Sequence, residues 1–346
     1  MKKTARIPVA VINGTGYGGV ELLRLLAGHP AFELVEVTAR REAGRPLRDV
    51  FPHLRGVDLT FTERVERAEL VLVALPDHAA VEAVPELLAA GRRVVDLSAG
   101  FRLRRAALYP EWYGYEHAAP TLLDAAAYGL VEWNREAIAS ARLVACPGCY
   151  PTAALLALLP VWVNDLVRPD VIVDAKSGVS GAGRTLKLSS HFSEANEDTA
   201  AYAVNGHRHW PEIAQELDRM AAGAGAGPLR LSFTPHLVPM TRGILATCYA
   251  PLREGVGPLD VHAAYTSAYG DAPFVQVVDQ PPHTKWTFGS NVCFVYATVD
   301  ERAARLIAIA AIDNLVKGAA GQAIQCANLM YGFPEPLGLP LEGVYP

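Results

Sequence analysis

Short apolar runs alternate with helix-like patterns through the first half of the chain. The runs are rich in valine, leucine and isoleucine and end at glycine, proline or charged residues, as strands buried on both faces do. The stretch 20–27 instead carries leucines that share one broad face of a helix. Such alternation predicts a parallel, doubly wound α/β sheet. The predicted strands are 7–12, 32–38, 70–75, 93–97 and 142–145, and a further helix is predicted over 79–90.

The apolar runs of the second half lack regular helical crossovers, which predicts a mixed or antiparallel sheet in an α+β domain. We expect this domain to be inserted into the α/β domain. The expected bounds are 1–149 for the first domain, 150–312 for the second, and 313–346 for a C-terminal helix that packs back on the first domain, with a tail. Residues 103–141 are expected to be mostly loop. The predicted strands here are 171–176, 229–234, 244–250, 274–278 and 292–299, and helices are predicted after Cys149, from Pro211 and over 313–323.

A glycine-rich loop joins the first predicted strand to the first predicted helix. Its pattern, G-x-G-x-x-G between strand and helix, is typical of Rossmann-type dinucleotide sites. The glycines allow a tight turn and a close backbone approach, and the helix N-terminus receives the pyrophosphate. A plain turn is the alternative interpretation. The predicted cofactor-binding residues of this loop are Gly14, Thr15, Gly16, Tyr17, Gly18 and Gly19.

The end of the second predicted strand indicates which dinucleotide is bound. A site that prefers NAD places an acidic side chain there, whereas this chain has Thr38, Arg40 and Arg41. A hydroxyl and two guanidinium groups suit the 2′-phosphate of NADP, so NADPH is the predicted cofactor. A solvated basic turn is the alternative. Ser98 and Arg102 follow the fourth strand on the ligand side of the sheet, and Arg102 is either an anion anchor or a surface ion pair.

The stretch 145–152 reads Ala-Cys-Pro-Gly-Cys-Tyr-Pro-Thr and lies between an apolar strand and a compact apolar run. Pro151 suits the first residue of a helix, which places Cys149 at the helix N-terminus. Unpaired N–H groups and the helix dipole stabilise a thiolate there and lower the pKa of such a thiol. Cys149 is therefore the predicted nucleophile. We expect Cys146 to be a packing residue.

Two histidines, His207 and His209, precede a second proline-initiated helix. A helix N-terminus disfavours imidazolium, so a histidine there stays neutral and can act as a base. Capping or packing is the alternative role for this pair. Residues 177–184 form a small-residue loop that ends in Arg184, where backbone can approach a ligand closely.

The composition excludes several other classes of protein. A chain of 346 residues with net charge −5 gives no reason to expect nucleic-acid binding, and no apolar stretch is long enough to span a membrane. Five cysteines without a disulfide framework favour a reducing cytoplasm, and no metal site is predicted. The basic start, residues 1–3, is followed by too short an apolar run for a secretory signal. Residues 221–227 are expected to form a flexible surface loop.

The motifs in their order along the chain resemble N-acetyl-gamma-glutamyl-phosphate reductases, a family of the semialdehyde dehydrogenase group. The sequence departs from that family at Gly100, where aspartate is usual, and at Val131, where proline is usual; the first departure puts in doubt any role for a carboxylate in that loop. The matching stretches are 14–19, 96–103, 128–130, 146–152, 177–184, 206–213, 233–243, 289–291 and 313–323.

The resemblance implies a Rossmann domain with an inserted catalytic and dimerisation domain, and a dimer or tetramer. It implies reduction of N-acetyl-L-glutamyl 5-phosphate by NADPH to the 5-semialdehyde, through a thioester on Cys149, in arginine biosynthesis. His207 or His209 would move the proton; His209 lies closer to the helix start. Arg102, Arg184 and Arg242 are the expected substrate-binding residues, and Ser98, Ser180, Gly181, Asn291 and Lys317 join the expected cofactor site.

Three other functions stay open at this point. A related family of lysine biosynthesis reduces an aminoadipyl phosphate carried on a small acidic protein, with the same motifs. The pair Cys146-x-x-Cys149 also occurs in redox and metal-binding proteins, although no second such pair follows. A non-catalytic NADP-binding regulator would account for the first half and leave Cys149 and the histidine pair without a role.

Overall fold

The computed structural model describes residues 6–221 and 228–345. These form two compact units. The first unit comprises Met1–Gly148 and Ala319–Pro340, and the second comprises Cys149–Gly318 and Leu341–Pro346. The basic start of the chain lies outside the described residues, as does the predicted flexible loop apart from Ala221. The first unit is therefore built from two stretches of chain that flank the second unit in sequence.

The described residues of the first unit contain a six-stranded parallel sheet with strand order β2-β1-β3-β4-β6-β5. All four residues of β3 are buried, as the run Leu-Val-Leu-Val leads one to expect for a central strand covered on both faces. The predicted fold class is confirmed. Its elements are β1 (Ile7–Ile12), α1 (Tyr17–Leu26), β2 (Phe32–Thr38), α2 (Leu47–Val50), β3 (Leu70–Val73), α3 (Asp77–Ala89), β4 (Arg93–Asp96), α4 (Leu108–Tyr113), β5 (Ala126–Tyr128), α5 (Val131–Ser140) and β6 (Leu143–Ala145).

The stretch 103–141 is more regular than the sequence indicates, since it contains α4, β5 and α5. β5 pairs with β6 at the edge of the sheet. Val131 is the first residue of α5, the position where a helix best accepts proline, so the departure at this site replaces one suitable residue with another. The last helix of the first unit, α10, packs against α5.

A seven-stranded mixed sheet, in the order β11-β12-β13-β10-β7-β9-β8, forms the described part of the second unit with its helices. Helix α6 packs on β10, β12 and β13 and contacts α8 and α9. Its residues from Tyr150 to Trp162 are all buried, which explains why its sequence is apolar on every side. The elements are α6 (Cys149–Val163), β7 (Asp170–Gly178), α7 (Phe192–Ala195), β8 (Ala200–Ala201), α8 (Trp210–Met220), β9 (Arg230–Val238), β10 (Ile244–Pro251), α9 (Pro258–Tyr269), β11 (Val275–Val277), β12 (Cys293–Asp300) and β13 (Arg305–Ile312).

Two features of the C-terminal region differ from the sequence prediction. The interior strand β13 was not predicted, because pattern alone does not distinguish its nearly continuous run of isoleucine and alanine from a buried helix. The predicted helix over 313–323 is wrong in its first part: a turn follows β13, then a single π-helical turn, Val316–Ala320, and α10 spans Gly321–Met330. A membrane-spanning helix is absent from the described residues, since none of their helices combines the required length with the required apolar character.

The strand register places five loops of the second unit at one edge of its sheet. β7, β9 and β13 end at this edge, while β10 and β12 begin there. Any residue that follows the first three strands or precedes the other two is therefore brought near the same edge. These loops carry most of the site residues predicted for the second half.

Candidate active site

Cys149 is the first residue of α6 and is half-buried. The helix begins two residues earlier than Pro151. Its first turn tolerates the proline, because a backbone N–H at that position would have no intrahelical acceptor. The N-terminal N–H groups and the dipole of a long buried helix favour the thiolate at this position. Cys146, in the first unit, is buried, and its N–H donates to the carbonyl of Asp96 at 2.8 Å.

An aromatic cluster surrounds the residue that follows the cysteine. The ring of Tyr150 meets His207 edge to face at 5.7 Å between centroids, His209 at 6.0 Å and Phe233 at 5.4 Å. The two histidine rings are themselves 4.8 Å apart. The second unit thus brings both predicted histidines to the start of α6. Their position depends on β9, which supplies Phe233, and on the start of α8.

A chain of hydroxyl groups runs through the same cluster. Tyr202 donates to the hydroxyl of Tyr150 at 3.2 Å, and Tyr150 donates to the carbonyl of His236 at 3.1 Å. Burial raises the pKa of Tyr202 to about 12, and charge on Cys149 adds to the rise. Burial also raises the pKa of Tyr150 well above its ordinary value, again with a contribution from Cys149. Both hydroxyls therefore stay protonated at neutral pH and can donate hydrogen bonds beside the cysteine.

The two histidines differ in what they can do. Nδ1 of His207 accepts the backbone N–H of His209 at 3.1 Å, which places the ring proton of neutral His207 on Nε2. Burial, helped by the charge of Arg208, lowers the pKa of His207 to about 4. His207 is therefore a neutral donor and a weak base. His209 is the N-cap residue of α8 and is 9% exposed.

The π-helical turn Val316–Ala320 lies directly against the cysteine. A Cβ placed on Gly318 would come within 2.8 Å of Cys149 Cβ, closer than real Cβ atoms approach. Only glycine lets the turn pass at this distance. The side chain of Lys317 is buried, with Nζ 5.7 Å from the centroid of the Phe274 ring. The backbone of this turn therefore contacts the cysteine, while the lysine ammonium packs on an aromatic ring.

The other predicted residues of the second half lie in the loops at the same sheet edge, with different exposure. Ser180 and Asn291 are buried, and Gly181 and Arg184 are exposed. Arg242 is partly buried, and its Nη1 lies 3.4 Å from Oδ2 of Asp313. A guanidinium group that is held by a buried carboxylate and still reaches the surface is suited to binding an anion.

The first unit carries the predicted dinucleotide site. A Cβ on Gly14 would lie 2.4 Å from Val37 Cγ2, and one on Gly19 would lie 2.4 Å from the carbonyl oxygen of Asn13. Both positions therefore require glycine, and the turn delivers the N-terminus of α1 at Tyr17. N–H groups at such a terminus bind pyrophosphate. Among the remaining members of the loop, Gly16 is the N-cap residue and Gly18 has open space around it, while Thr15 is half-buried.

Two arginines follow the end of β2, where the sequence predicts the site that distinguishes NADP from NAD. Arg40 and Arg41 are both exposed just beyond the end of the strand. Thr38 is buried, and its backbone carbonyl accepts the N–H of Gly14 at 3.0 Å, which ties the strand end to the glycine loop. The residues present in the first unit therefore fit the pyrophosphate and the 2′-phosphate of NADP(H).

Ser98 and Arg102 have hydrogen bonds within the first unit. The Ser98 hydroxyl donates to Asp96 at 2.7 Å, and burial raises the pKa of Asp96 to about 6 against the effect of this bond. Nε of Arg102 donates to the carbonyl of Cys146 at 2.7 Å, and Nη2 donates to that of Leu97 at 2.8 Å. Arg102 thus fixes the backbone that leads toward the cysteine.

Gly100 is enclosed rather than open. A Cβ at this position would lie 3.0 Å from Val81 Cγ2 and 3.1 Å from Ser98 Oγ. Contacts this short require the neighbours to move by a few tenths of an ångström. The loop of this chain is therefore packed around a residue that has no side chain.

Three residues of the site were missed by sequence reasoning as participants: Tyr150, Tyr202 and Asp313. Tyr150 has a local signal, since it directly follows the nucleophile at a helix start. Tyr202 has none, because its partner lies 52 residues away in sequence. All five cysteines are free thiols, and no group of three or more possible metal ligands occurs among the described residues.

Two family models together match most of the chain. The semialdehyde dehydrogenase NAD binding domain matches residues 8–141, and the semialdehyde dehydrogenase dimerisation domain matches residues 149–314. Solved structures with a similar fold include aspartate semialdehyde dehydrogenase II from Vibrio cholerae, with TM-score 0.74 and 17% identity over 95% of this chain and 99% of that one. Another is a probable aspartate-semialdehyde dehydrogenase from Pseudomonas aeruginosa, with TM-score 0.71 and 19% identity over 94% and 99%. The two family models therefore assign the chain to the semialdehyde dehydrogenase class.

Curated relatives at higher identity narrow this class. The N-acetyl-gamma-glutamyl-phosphate reductase of Dehalococcoides mccartyi is 52% identical over 97% of this chain and 98% of its own length. That of Heliobacterium modesticaldum is 49% identical over 98% of this chain and 100% of its own. The chain belongs to the N-acetyl-gamma-glutamyl-phosphate reductase family.

Proposed function

We propose that Cys149 is the nucleophile in the NADPH-dependent reduction of N-acetyl-L-glutamyl 5-phosphate to N-acetyl-L-glutamate 5-semialdehyde, a step of arginine biosynthesis. The substrate and the cofactor follow from the family. The observation that carries the assignment of the nucleophile is the position of Cys149 as first residue of α6, next to Tyr150, whose ring contacts His207 and His209. A half-buried thiol with helix N–H groups and neutral donors around it is suited to forming an acyl-enzyme.

In the proposed reaction the Cys149 thiolate attacks the acyl carbon, a C–S bond forms, and the acyl C–O bond breaks to release phosphate. Bound NADPH supplies the hydride that reduces the thioester carbon. The C–S bond then breaks, the aldehyde leaves and the thiolate is restored. We assign the removal of the initial thiol proton to His209, because His207 has a pKa of about 4 and its Nδ1 already accepts a hydrogen bond. His207 remains as a neutral donor for the developing oxyanion. Tyr202 donates its hydroxyl proton to Tyr150 and so holds that side chain in place.

The substrate carries two anionic groups, and we assign Arg242 to one of them. Its guanidinium is partly exposed at the sheet edge where Ser180, Gly181 and Asn291 also lie. We keep Arg184 as a second candidate because it is exposed on the loop after β7. We assign Arg102 to holding the backbone at Cys146 and not to binding the substrate.

The test compares two substrates and two cysteine variants. Purified protein should reduce free N-acetyl-L-glutamyl 5-phosphate with NADPH, and should reduce NADP with the semialdehyde only when phosphate is present. Cys149→Ser is expected to lower kcat by at least about 10³-fold, because a serine hydroxyl is a far weaker nucleophile than a thiolate.

Cys146→Ser is the matched control and should keep most of the activity. Equal loss from both variants would favour a C-x-x-C redox function. Turnover of carrier-bound aminoadipyl phosphate alone would favour the lysine-pathway reaction, and an absence of turnover with either substrate would favour a non-catalytic regulator.

We also propose that the protein is a homo-oligomer of the cytoplasm whose second unit supplies the interface. Successive residues of the strands point to opposite faces of the seven-stranded sheet. One face is buried, and the other carries partly exposed apolar residues. Ile172, Tyr249 and Ile307 lie side by side in register across β7, β10 and β13, and Ile309 and Tyr296 continue the patch in the next row. A flat apolar patch of this kind suits a second copy of the same surface across a two-fold axis.

A further inference from the structure

Asp313 and Asn314 form a buried polar pair directly after β13. Asp313 is 0% exposed and Asn314 is 2% exposed. The interior of a protein tolerates such groups only when their hydrogen-bonding atoms are satisfied. The partners of these two side chains come from four separate loops of the second unit.

The two oxygens of Asp313 hold different loops. Oδ1 accepts the backbone N–H of Leu315 at 2.8 Å and that of Val316 at 3.2 Å. Oδ2 accepts the N–H of Gly289 at 2.8 Å and lies 3.4 Å from Nη1 of Arg242. Oδ1 therefore fixes the start of the π-helical turn. Oδ2 fixes both the loop of Gly289 and the side chain of Arg242.

Asn314 holds the loop of Arg242 at a second point and connects it to the loop after β7. Its Oδ1 accepts the N–H of Gly243 at 2.7 Å, and its Nδ2 donates to Oγ of Ser180 at 2.9 Å. Gly243 has φ +113, and a Cβ there would lie 2.8 Å from Thr284 Cβ, so this contact depends on glycine. The loop after Arg242 is thus held from both sides.

The turn that Asp313 holds is the one that touches the cysteine. The Asp313 carbonyl accepts the N–H of Gly318 at 3.0 Å, and Gly318 is the residue whose Cα–H face lies against Cys149. The carboxylate is therefore connected to the nucleophile through the turn and to the anion-binding arginine through Oδ2. A β-strand can end without either of these two connections, so the end of β13 does not by itself account for them.

We infer that Asp313 is a positioning residue that sets two things together: the orientation of Arg242 toward a substrate anion and the placement of the turn against Cys149. The inference rests on the proposed function, in which Arg242 binds an anionic group of an acyl phosphate and Cys149 attacks its carbonyl. Asp313 touches neither the substrate nor the reacting atoms. Its action is exerted through the two residues that do.

Asp313→Asn is the direct test because it keeps the size of the side chain. One amide oxygen can still accept from Leu315 and Val316, whereas an NH₂ group would face the N–H of Gly289 and the guanidinium of Arg242, where donor opposes donor. We expect KM for the acyl phosphate to rise by about 10- to 100-fold, the usual cost of a lost bond to a charged group. We also expect kcat to fall by about 10-fold or more, because the turn beside Cys149 shifts.

Arg242→Lys tests the same connection at a side chain that is only partly buried. It removes the guanidinium fork and leaves the turn in place, so KM should rise by about 10-fold or more while kcat stays within about threefold. In the double variant the KM effects should not multiply, because both changes remove the same contact. The split between KM and kcat distinguishes positioning from a general loss of structure.

Glu216→Gln is the control for losing a buried carboxylate. Glu216 is 1% exposed and pairs with Arg219 at 2.8 Å within α8, away from the four loops. The kinetic constants of Glu216→Gln should stay within about twofold of the wild type.

Unchanged KM in a folded Asp313→Asn protein, or KM effects that multiply in the double variant, would overturn the inference. If Asp313→Asn does not fold, unchanged KM in Arg242→Lys overturns it instead. Wild-type protein without acyl-phosphate turnover would refute the proposed function and the positioning role with it, whereas the outcomes above, with active wild-type protein, refute the positioning role alone.

Discussion

Gly318 is the residue whose replacement by one methyl group should affect catalysis most directly. Its missing side chain lets the π-helical turn pass Cys149, and an added Cβ would lie 2.8 Å from the Cβ and 3.3 Å from the Cα of the cysteine. These atoms belong to the first turn of a buried helix and cannot rotate away. Gly318→Ala must therefore displace the turn or the nucleophile. We expect kcat to fall by about 10- to 100-fold, since small misplacements of reacting groups cost that much, and steady-state kinetics measures the change.

A glycine without neighbours supplies the control for Gly318→Ala. Gly56 has no atom within 4 Å of an added Cβ and does not need a positive φ. Gly56→Ala should leave kcat unchanged and alter the free energy of unfolding by less than about 1 kcal/mol. A Gly318→Ala protein with wild-type kcat would show that the turn can yield without moving the thiol.

At the scale of elements, local pattern predicts more of the first unit than of the second. β1 and β2 have the predicted bounds, because each is rich in valine and other apolar residues and is bounded by turns. β13 could not be found in this way, since a run of isoleucine and alanine fits a buried helix as well as a buried strand. The site shows the same limit: a helix start indicates Cys149, but the contact between Asp313 and Arg242 joins residues 71 apart in sequence. Such a contact is set by strand order, which no local window contains.

A neutral histidine is among the residues that attach the C-terminal segment after α10 to the rest of the first unit. His29 is 2% exposed; its Nδ1 accepts the N–H of Phe32 at 3.0 Å, and its Nε2 donates to the carbonyl of Leu337 at 2.9 Å. A Cβ on Gly338 would lie 2.1 Å from the imidazole ring of His29, so the segment packs on the histidine only because this residue is glycine. Protonation would add a hydrogen to Nδ1, which could then no longer accept the backbone N–H of Phe32.

Burial lowers the pKa of His29 below its ordinary 6.5, although hydrogen bonds to Leu337 and Asn328 oppose the change. The unfolded chain then binds the proton more readily than the folded chain, so this stabilisation is present above pH 6.5 and is lost as the pH falls below it. We expect His29→Gln to lower stability at pH 7.5 by about 1–3 kcal/mol. The further loss of Tm between pH 7.5 and 5.5 should be smaller than in the wild type. Parallel pH profiles of Tm for the two proteins would contradict this role of His29.

At the scale of the whole molecule, the open face of the second unit predicts self-association that one charge can prevent. Ile307 lies at the centre of the apolar patch, between Tyr249 on β10 and Thr298 on β12. In a two-fold interface Ile307→Lys adds two buried ammonium groups per pair of chains, and each is costly without a partner. Sedimentation should give a multiple of 37.1 kDa for the wild type and a single chain for Ile307→Lys. Leu259→Lys, at an 83% exposed position on α9, is the control and should keep the wild-type mass. Wild-type protein at 37.1 kDa, or Ile307→Lys at the wild-type mass, would mean that this face does not hold two copies together.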